Sequence, residues 1–111
     1  MGTLILDPGA LTARLTREAP LDAPDGQGGA TLTWSEVGRH WARIEPVSQT
    51  PSELASADRV LLHHRVWLGK AEGITAGQRF RKGGRILTIK AVRDPDETGR
   101  YLVCDCEEEA Q

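Results

Sequence analysis

The stretch Arg39-His40-Trp41-Ala42-Arg43-Ile44-Glu45-Pro46-Val47 decides how this chain folds. Its side chains alternate with a period of two. Ala42 and Ile44 fall on one face, and Trp41, Arg43 and Glu45 on the other, as in a half-buried strand. The same rhythm recurs on both sides of it. Upstream, Leu11, Ala13 and Leu15 alternate with Thr12, Arg14 and Thr16. Thr31 to Trp34 forms a further strand, broken at Val37-Gly38. Downstream, residues 59–68 make the longest candidate. Val60, Leu62, His64, Val66 and Leu68 share one face, and Leu61, His63, Arg65 and Trp67 the other. Apolar residues on both faces mark a strand that is central or meets a partner. A short strand over residues 78–81 turns at Gly83-Gly84 into a strand over 85–92. An acidic turn at residues 94–99 leads into a last strand over 100–106.

The connections are equally legible as expectations. Residues 19–29 carry Pro20, Pro24, Gly26, Gly28 and Gly29, and read as an extended loop that orders on docking. Thr50-Pro51-Ser52-Glu53 fits a capping box with proline at the first helical position. Leu54-Ala55-Ser56-Ala57 then supplies one short helix. Glu107, Glu108 and Glu109 read as a frayed acidic end. The fold class is therefore mainly β: a small antiparallel β-barrel or sandwich of about six to seven strands with one short helix. It is read as a single domain over residues 1–111. An N-terminal segment (1–10), the extended loop (19–29), a loop at 47–58 and an acidic tail (107–111) complete it.

Composition sets the outer bounds. A chain of 111 residues builds one domain and one modest core. At 39% hydrophobic and 27% charged it sits among soluble globular proteins. A net charge of −2 argues against a free nucleic-acid binder, which is usually basic. There is no signal peptide pattern and no apolar run long enough for a membrane span, so no membrane partner is expected. The expected location is the cytoplasm until assembly. Cys104 and Cys106 share a strand face with Leu102 and read as two small buried residues, reduced rather than bridged.

Catalytic constellations are missing from the sequence. His63 and His64 are adjacent, so a regular strand sends them to opposite faces and they cannot share one metal. Ser35, Ser48, Ser52 and Ser56 lack a nucleophile-elbow context. No phosphate loop or dinucleotide fingerprint occurs. Catalytic, cofactor and metal sites are accordingly expected to be absent, and the protein is not expected to be an enzyme. What remains is surface. Arg79, Arg81, Lys82 and Arg85, near Lys70 and Lys90, form either a solvated hairpin tip or a contact for an acidic neighbour or DNA phosphates. Asp94, Asp96, Glu97 and Glu107 to Glu109 supply the opposite sign, as a head-to-tail ring requires. Among three tryptophans, core packing is the expected role for any one, and Trp67, beside Arg65, is the expected interface member.

In order and spacing, several segments resemble one known family. They are Leu11-x-x-Arg14-Leu15, Asp25-Gly26-x-Gly28-Gly29, Trp34 and Trp41-Ala42-Arg43-Ile44-Glu45-Pro46. His64-Arg65-Val66, Gly73-Ile74, Arg79, Gly84-Arg85 and Ile89 follow. Val92-x-Asp94-Pro95-Asp96-Glu97, Gly99-Arg100 and Leu102 complete the set. Together they resemble the head–tail joining proteins of tailed phages and gene transfer agents, also called head-tail adaptor, head completion or stopper proteins. The resemblance implies a β-barrel ring, sixfold, joining the DNA-filled head to the tail. It implies the portal or adaptor protein on one side, the tail terminator protein on the other, and double-stranded DNA in the channel. It implies that the segment Ser48, Gln49, Thr50, Pro51, Ser52, Glu53, Leu54, Ala55 and Ser56 projects into that channel and helps retain DNA. The β-rich content fits a stopper better than the mainly helical portal-side adaptors. The competing reading is a small OB-like nucleic-acid-binding module, for which Trp67 with Arg65 is the hint.

Overall fold

The computed structural model describes residues 10–51 and 60–110. It contains β1 (Ala13–Pro24), β2 (Ala30–Pro51), β3 (Val60–Gly69), β4 (Arg79–Lys82), β5 (Arg85–Arg93) and β6 (Tyr101–Ala110). All pairings are antiparallel, and the order β1-β2-β3-β6-β5-β4 closes into a barrel. Every strand sends side chains inward. Leu15, Ala42, Val66, Leu68, Phe80, Leu87, Ile89, Cys104 and Cys106 fill the interior, and Ile74 joins them from the β3–β4 loop. Burial lifts the Cys104 thiol to about 12 and that of Cys106 further still, so both stay protonated and inert.

The barrel closes through few contacts. Only Thr16↔Arg81, Arg17↔Phe80 and Glu18↔Arg79 join β1 to β4. Two buried charges flank this seam. On its inner side the Arg17 guanidinium donates to His40 Nε2 (3.1 Å), Gln78 Oε1 (2.9 Å) and the Gly73 and Glu72 carbonyls (3.2 and 3.3 Å). It thereby ties the β3–β4 loop to the barrel end. On the other side the Glu18 carboxylate, 5% exposed, accepts from Arg79 at 2.7 Å and Arg81 at 2.8 Å. A carboxylate this deep is tolerated because both oxygens are paired. The Arg79 guanidinium also stacks 4.0 Å from the Trp34 ring, bracing β2 from outside.

Both long strands outrun the barrel. Beyond Glu18, β1 pairs only with β2, as a two-stranded arm ending in the Asp25–Gly29 turn. The Asp25 side chain accepts from the Gln27 and Gly29 amides, and Gly26 and Gly28 take positive φ values of 80° and 84° that close the tip. Residues 19–24 are thus paired strand, where the sequence had suggested loop. The prolines explain the difference. Pro20 and Pro24 lie where β1 has a free edge, which tolerates a residue without an N–H and discourages a stray strand from adding there. The break expected at Val37-Gly38 is instead a bulge. Arg17 pairs with Gly38 and Glu18 with Glu36, leaving Val37 as the extra residue, so the two expected strands are one.

The far end departs from expectation in the same manner. Thr50 and Pro51 pair with Leu61 and Val60 as the end of β2, so the capping box does not start a helix there. The rest of the expected helix, Ser52 to Ala57, lies outside the described residues, as does most of the N-terminal segment. Glu107, Glu108 and Glu109 are not frayed but pair with His63, Leu62 and Leu61. Straight strands of β2's length span about 70 Å, yet the molecule's longest extent is 54 Å. The strand therefore coils, helped by its bulges at Val37 and Val47.

Two stability measurements test the seam. Glu18→Ala strands Arg79 and Arg81 and should lower the unfolding free energy by about 3 kcal/mol in urea denaturation. A loss near zero would mean that backbone pairing alone closes the barrel. His40 is held below its ordinary 6.5 by burial first, then by Arg17 and Arg14. Its contribution is full above that value and fades as the pH drops, because the unfolded chain takes up the proton more readily. The melting temperature should therefore fall between about pH 7.5 and pH 5.5, and His40→Gln should flatten that fall. An unchanged profile in the variant would exonerate His40.

Candidate functional site

The candidate contact residues separate into two groups on opposite walls, because β3 and β4 lie three places apart in the six-strand ring. Arg79, Arg81, Lys82 and Arg85 belong to the β4–β5 wall. Three of these four cations are engaged within the chain. Arg79 and Arg81 hold Glu18, and Arg85 makes two hydrogen bonds of 2.9 Å to Glu108. The fourth, Lys82, stands exposed at the β4–β5 turn. The Glu108 carboxyl is held below the usual carboxylate range by the Arg85 hydrogen bond, with His64 assisting against burial. His64 sits in the inner row, 2.9 Å from Glu108, so it is a supported structural histidine rather than part of a His63–His64 pair.

The other group, Arg65 and Trp67, lies on the outer face of β3 and has more company than the sequence indicated. Arg43 stands directly opposite Trp67, and Glu45 opposite Arg65. Glu45 takes the Trp67 indole N–H at 3.4 Å and lies 3.6 Å from Arg65. On the neighbouring strand pair Arg14 faces Trp41, its guanidinium 5.2 Å from the ring centre. Trp41 is nonetheless 55% exposed. Arg14, Trp41, Arg43 and Trp67, with the Arg65–Glu45 pair at one end, thus share the outer face of β1, β2 and β3.

None of the three tryptophans joins the core, contrary to the expectation for any single one; Phe80 is the aromatic that fills it. Trp34 and Trp67 are half-buried on the outer surface, and Trp67 lies opposite Val103, which is fully covered. The signal for this was in the sequence: Trp41 and Trp67 share their strand rows with arginines.

Of the expected channel segment, Ser48, Gln49, Thr50 and Pro51 are strand rather than loop, and Ser48 and Gln49 are exposed. Ser52, Glu53, Leu54, Ala55 and Ser56 lie outside the described residues. Beside this end a cleft of 330 Å³ opens between the Val47 bulge of β2 and a further bulge at Lys90 of β5, lined by Val47, His63, Arg65, Lys90, Asp105 and Glu107 among others. Its charges neutralise each other, as in the 3.5 Å Lys90–Glu107 pair. Among the described residues no group of three His, Cys, Asp or Glu side chains could hold a metal ion. No helix among them is long and apolar enough to cross a membrane. Among the described residues the arrangement offers surfaces for contact and no assembled set of acid, base and nucleophile.

Comparison with known proteins gives these surfaces a context. A protein from the virion of a native gene transfer agent particle superimposes with a TM-score of 0.77 at 29% identity, over 89% of this chain and 94% of that one. The solution structure of protein SF1141 from Shigella flexneri 2a shares the fold, with a TM-score of 0.65 at 24% identity over 93% and 96% of the two chains. No curated protein sequence matches. The family profile of the phage head completion protein matches residues 6–109. The chain belongs to that family.

Proposed function

We propose that this member of the phage head completion family is a structural neck protein of a tailed phage or gene transfer agent. Copies form a ring between the DNA-filled head and the tail and help retain the DNA as a stopper. The carrying observation is the near full-length likeness to a protein of a gene transfer agent virion, on top of a family match that spans the barrel and its extensions. The shape supports it. β2 runs from one end of the molecule to the other, so the β1–β2 arm and the β2–β3 end project in opposite directions from a closed barrel.

In this reading the portal or adaptor protein meets one side and the tail terminator protein the other. The ring is sixfold, and the β2–β3 end beyond Gln49 approaches double-stranded DNA in the channel. Few cations mark that segment, so it blocks DNA by filling space rather than by gripping phosphates. The protein works without chemistry of its own. It is made in the host cytoplasm and ends in the particle neck.

The test is electron microscopy of particles made without this gene. Filled or leaking heads beside complete free tails are expected, and normal tailed particles on re-expression. Normal tailed particles in the gene's absence would overturn the proposal. A specific complication favours a second reading: the Trp41–Trp67 face has the cation and aromatic content of an OB-like single-strand binder. Tight, salt-sensitive binding of a free oligonucleotide to that face would shift the assignment to it.

A further inference from the structure

Going beyond the ring reading, we infer that the free chain pairs with a second copy through the open β2 edge of its arm. The direction of the backbone groups, the side-chain register and the length of the open edge all suit that occupant.

The two edges of the arm differ. A proline has no N–H to exchange, so Pro20↔Trp34 and Pro24↔Ala30 are pairs without hydrogen bonds. The two kinds of pair alternate, so Asp22↔Leu32 and Glu18↔Glu36 are of the same kind. The Asp25 N–H donates to the Gly29 carbonyl at 3.3 Å, one step along, which fixes the same phase. Ala30, Leu32, Trp34 and Glu36 therefore turn their N–H and C=O groups away from β1. On that side β3 joins β2 only from Ala42, so residues 30–41 have no strand beside them among the described residues. The β1 edge of the arm is blunted, because Pro20 and Pro24 lack outward donors. The β2 edge over residues 30–36 has no proline, lysine or arginine to blunt it.

A second copy completes this edge. Placed antiparallel about a two-fold axis at Thr33, the same segment sets Leu32 of each copy opposite Trp34 of the other, and Ala30 opposite Glu36. All four residues then turn their hydrogen-bonding groups toward one another. Leu32, 55% exposed, gains an aromatic neighbour on one face. On the other face Thr31 meets Ser35, and Thr33 meets its own equivalent. Glu36 is the one charge in the segment and meets alanine, so no like charges are brought together. The resulting sheet, β1-β2-β2-β1, has only proline-blunted strands outside, so association stops at two.

The length of the open edge selects this register. Gly29 of one copy comes level with the Val37 bulge of the other, and the turn over residues 26–28 fills the space left before Ala42, where β3 begins. An axis two positions nearer the barrel, at Ser35, would drive that turn into Leu68 and Gly69. An axis at Trp34 would set Leu32 against Glu36. A two-fold pair cannot continue round a ring, so it is a form of the free chain that parts on assembly. It covers an edge that would otherwise recruit stray strands.

The experiment uses the whole purified chain. Analytical ultracentrifugation at micromolar concentration should show a two-copy species. Leu32→Pro removes an N–H that β1 does not use, so the melting temperature should hold while the pair weakens at least about tenfold, the two-fold losing the donor twice. This variant should still complete tailed particles. Single cysteines check the register. Thr33→Cys meets itself with about 4.5 Å between Cα atoms and should oxidise to a linked pair. Thr31→Cys, on the same face, lies about 13 Å along the strands from its equivalent and should not. The native cysteines are buried and do not compete.

A chain that stays monomeric overturns the inference. So does a pair that Leu32→Pro leaves intact, or equal linkage of Thr31→Cys and Thr33→Cys. A Leu32→Pro variant that no longer enters particles would assign the edge to a strand of another particle protein instead. These outcomes are separate from the neck assignment, which stands or falls on particles made without the gene.

Discussion

The seam between β1 and β4 is the constraint on which this structure depends. Four of the six strand junctions in the barrel have five or more residue pairs and the tight β4–β5 hairpin has four, but this one, between strands distant in sequence, has three. Backbone bonds of that number stabilise little in net terms, since each replaces bonds to water. The two side chains at the seam make up the difference. Arg17 uses its donors to pin the β3–β4 loop, and Glu18 gathers Arg79 and Arg81. Each is a buried charge that would be costly alone and is stabilising only because it is fully partnered. Because Arg79 also stacks on Trp34, the same cluster fixes where the arm leaves the barrel.

Two paired extensions leave the closed barrel at opposite ends. The arm needs a rigid root, since a two-stranded ribbon has marginal stability by itself. The opposite end is broader. There β2, β3 and β6 continue together past the last β5 pair, and the Arg85–Glu108–His64 cluster holds the β6 extension against the barrel. A closed middle with two oriented extensions is the shape a ring component needs to reach its neighbours on either side.

Most of the fold was legible because the strands alternate so regularly. The shared row of β3, the row of Leu102, Cys104 and Cys106 in β6, the burial of the two cysteines and the opposed histidines were all readable from period two. The misplaced strand breaks have one physical origin. Proline and glycine were taken as breaks at Pro20 and Val37-Gly38, whereas Pro20 lies on a free edge and Gly38 beside a bulge, both within strands. Which edge a proline occupies depends on the neighbouring strand, and that is tertiary information. The site was less legible. Arg79, Arg81 and Arg85 looked like an outward basic patch because Glu18 and Glu108, their partners, are distant in sequence. Trp41 and Arg14 became neighbours only through the β1–β2 register.

The central claim is that this barrel is a neck component whose closed shape sets the direction of its two extensions. A cryo-electron microscopy reconstruction of the neck of the native particle tests it most directly. The account predicts closed barrels repeated around the DNA channel below the portal, each with its Arg17–Glu18 seam intact. A neck lacking this chain, or containing it with the β1–β4 seam open, would contradict the account.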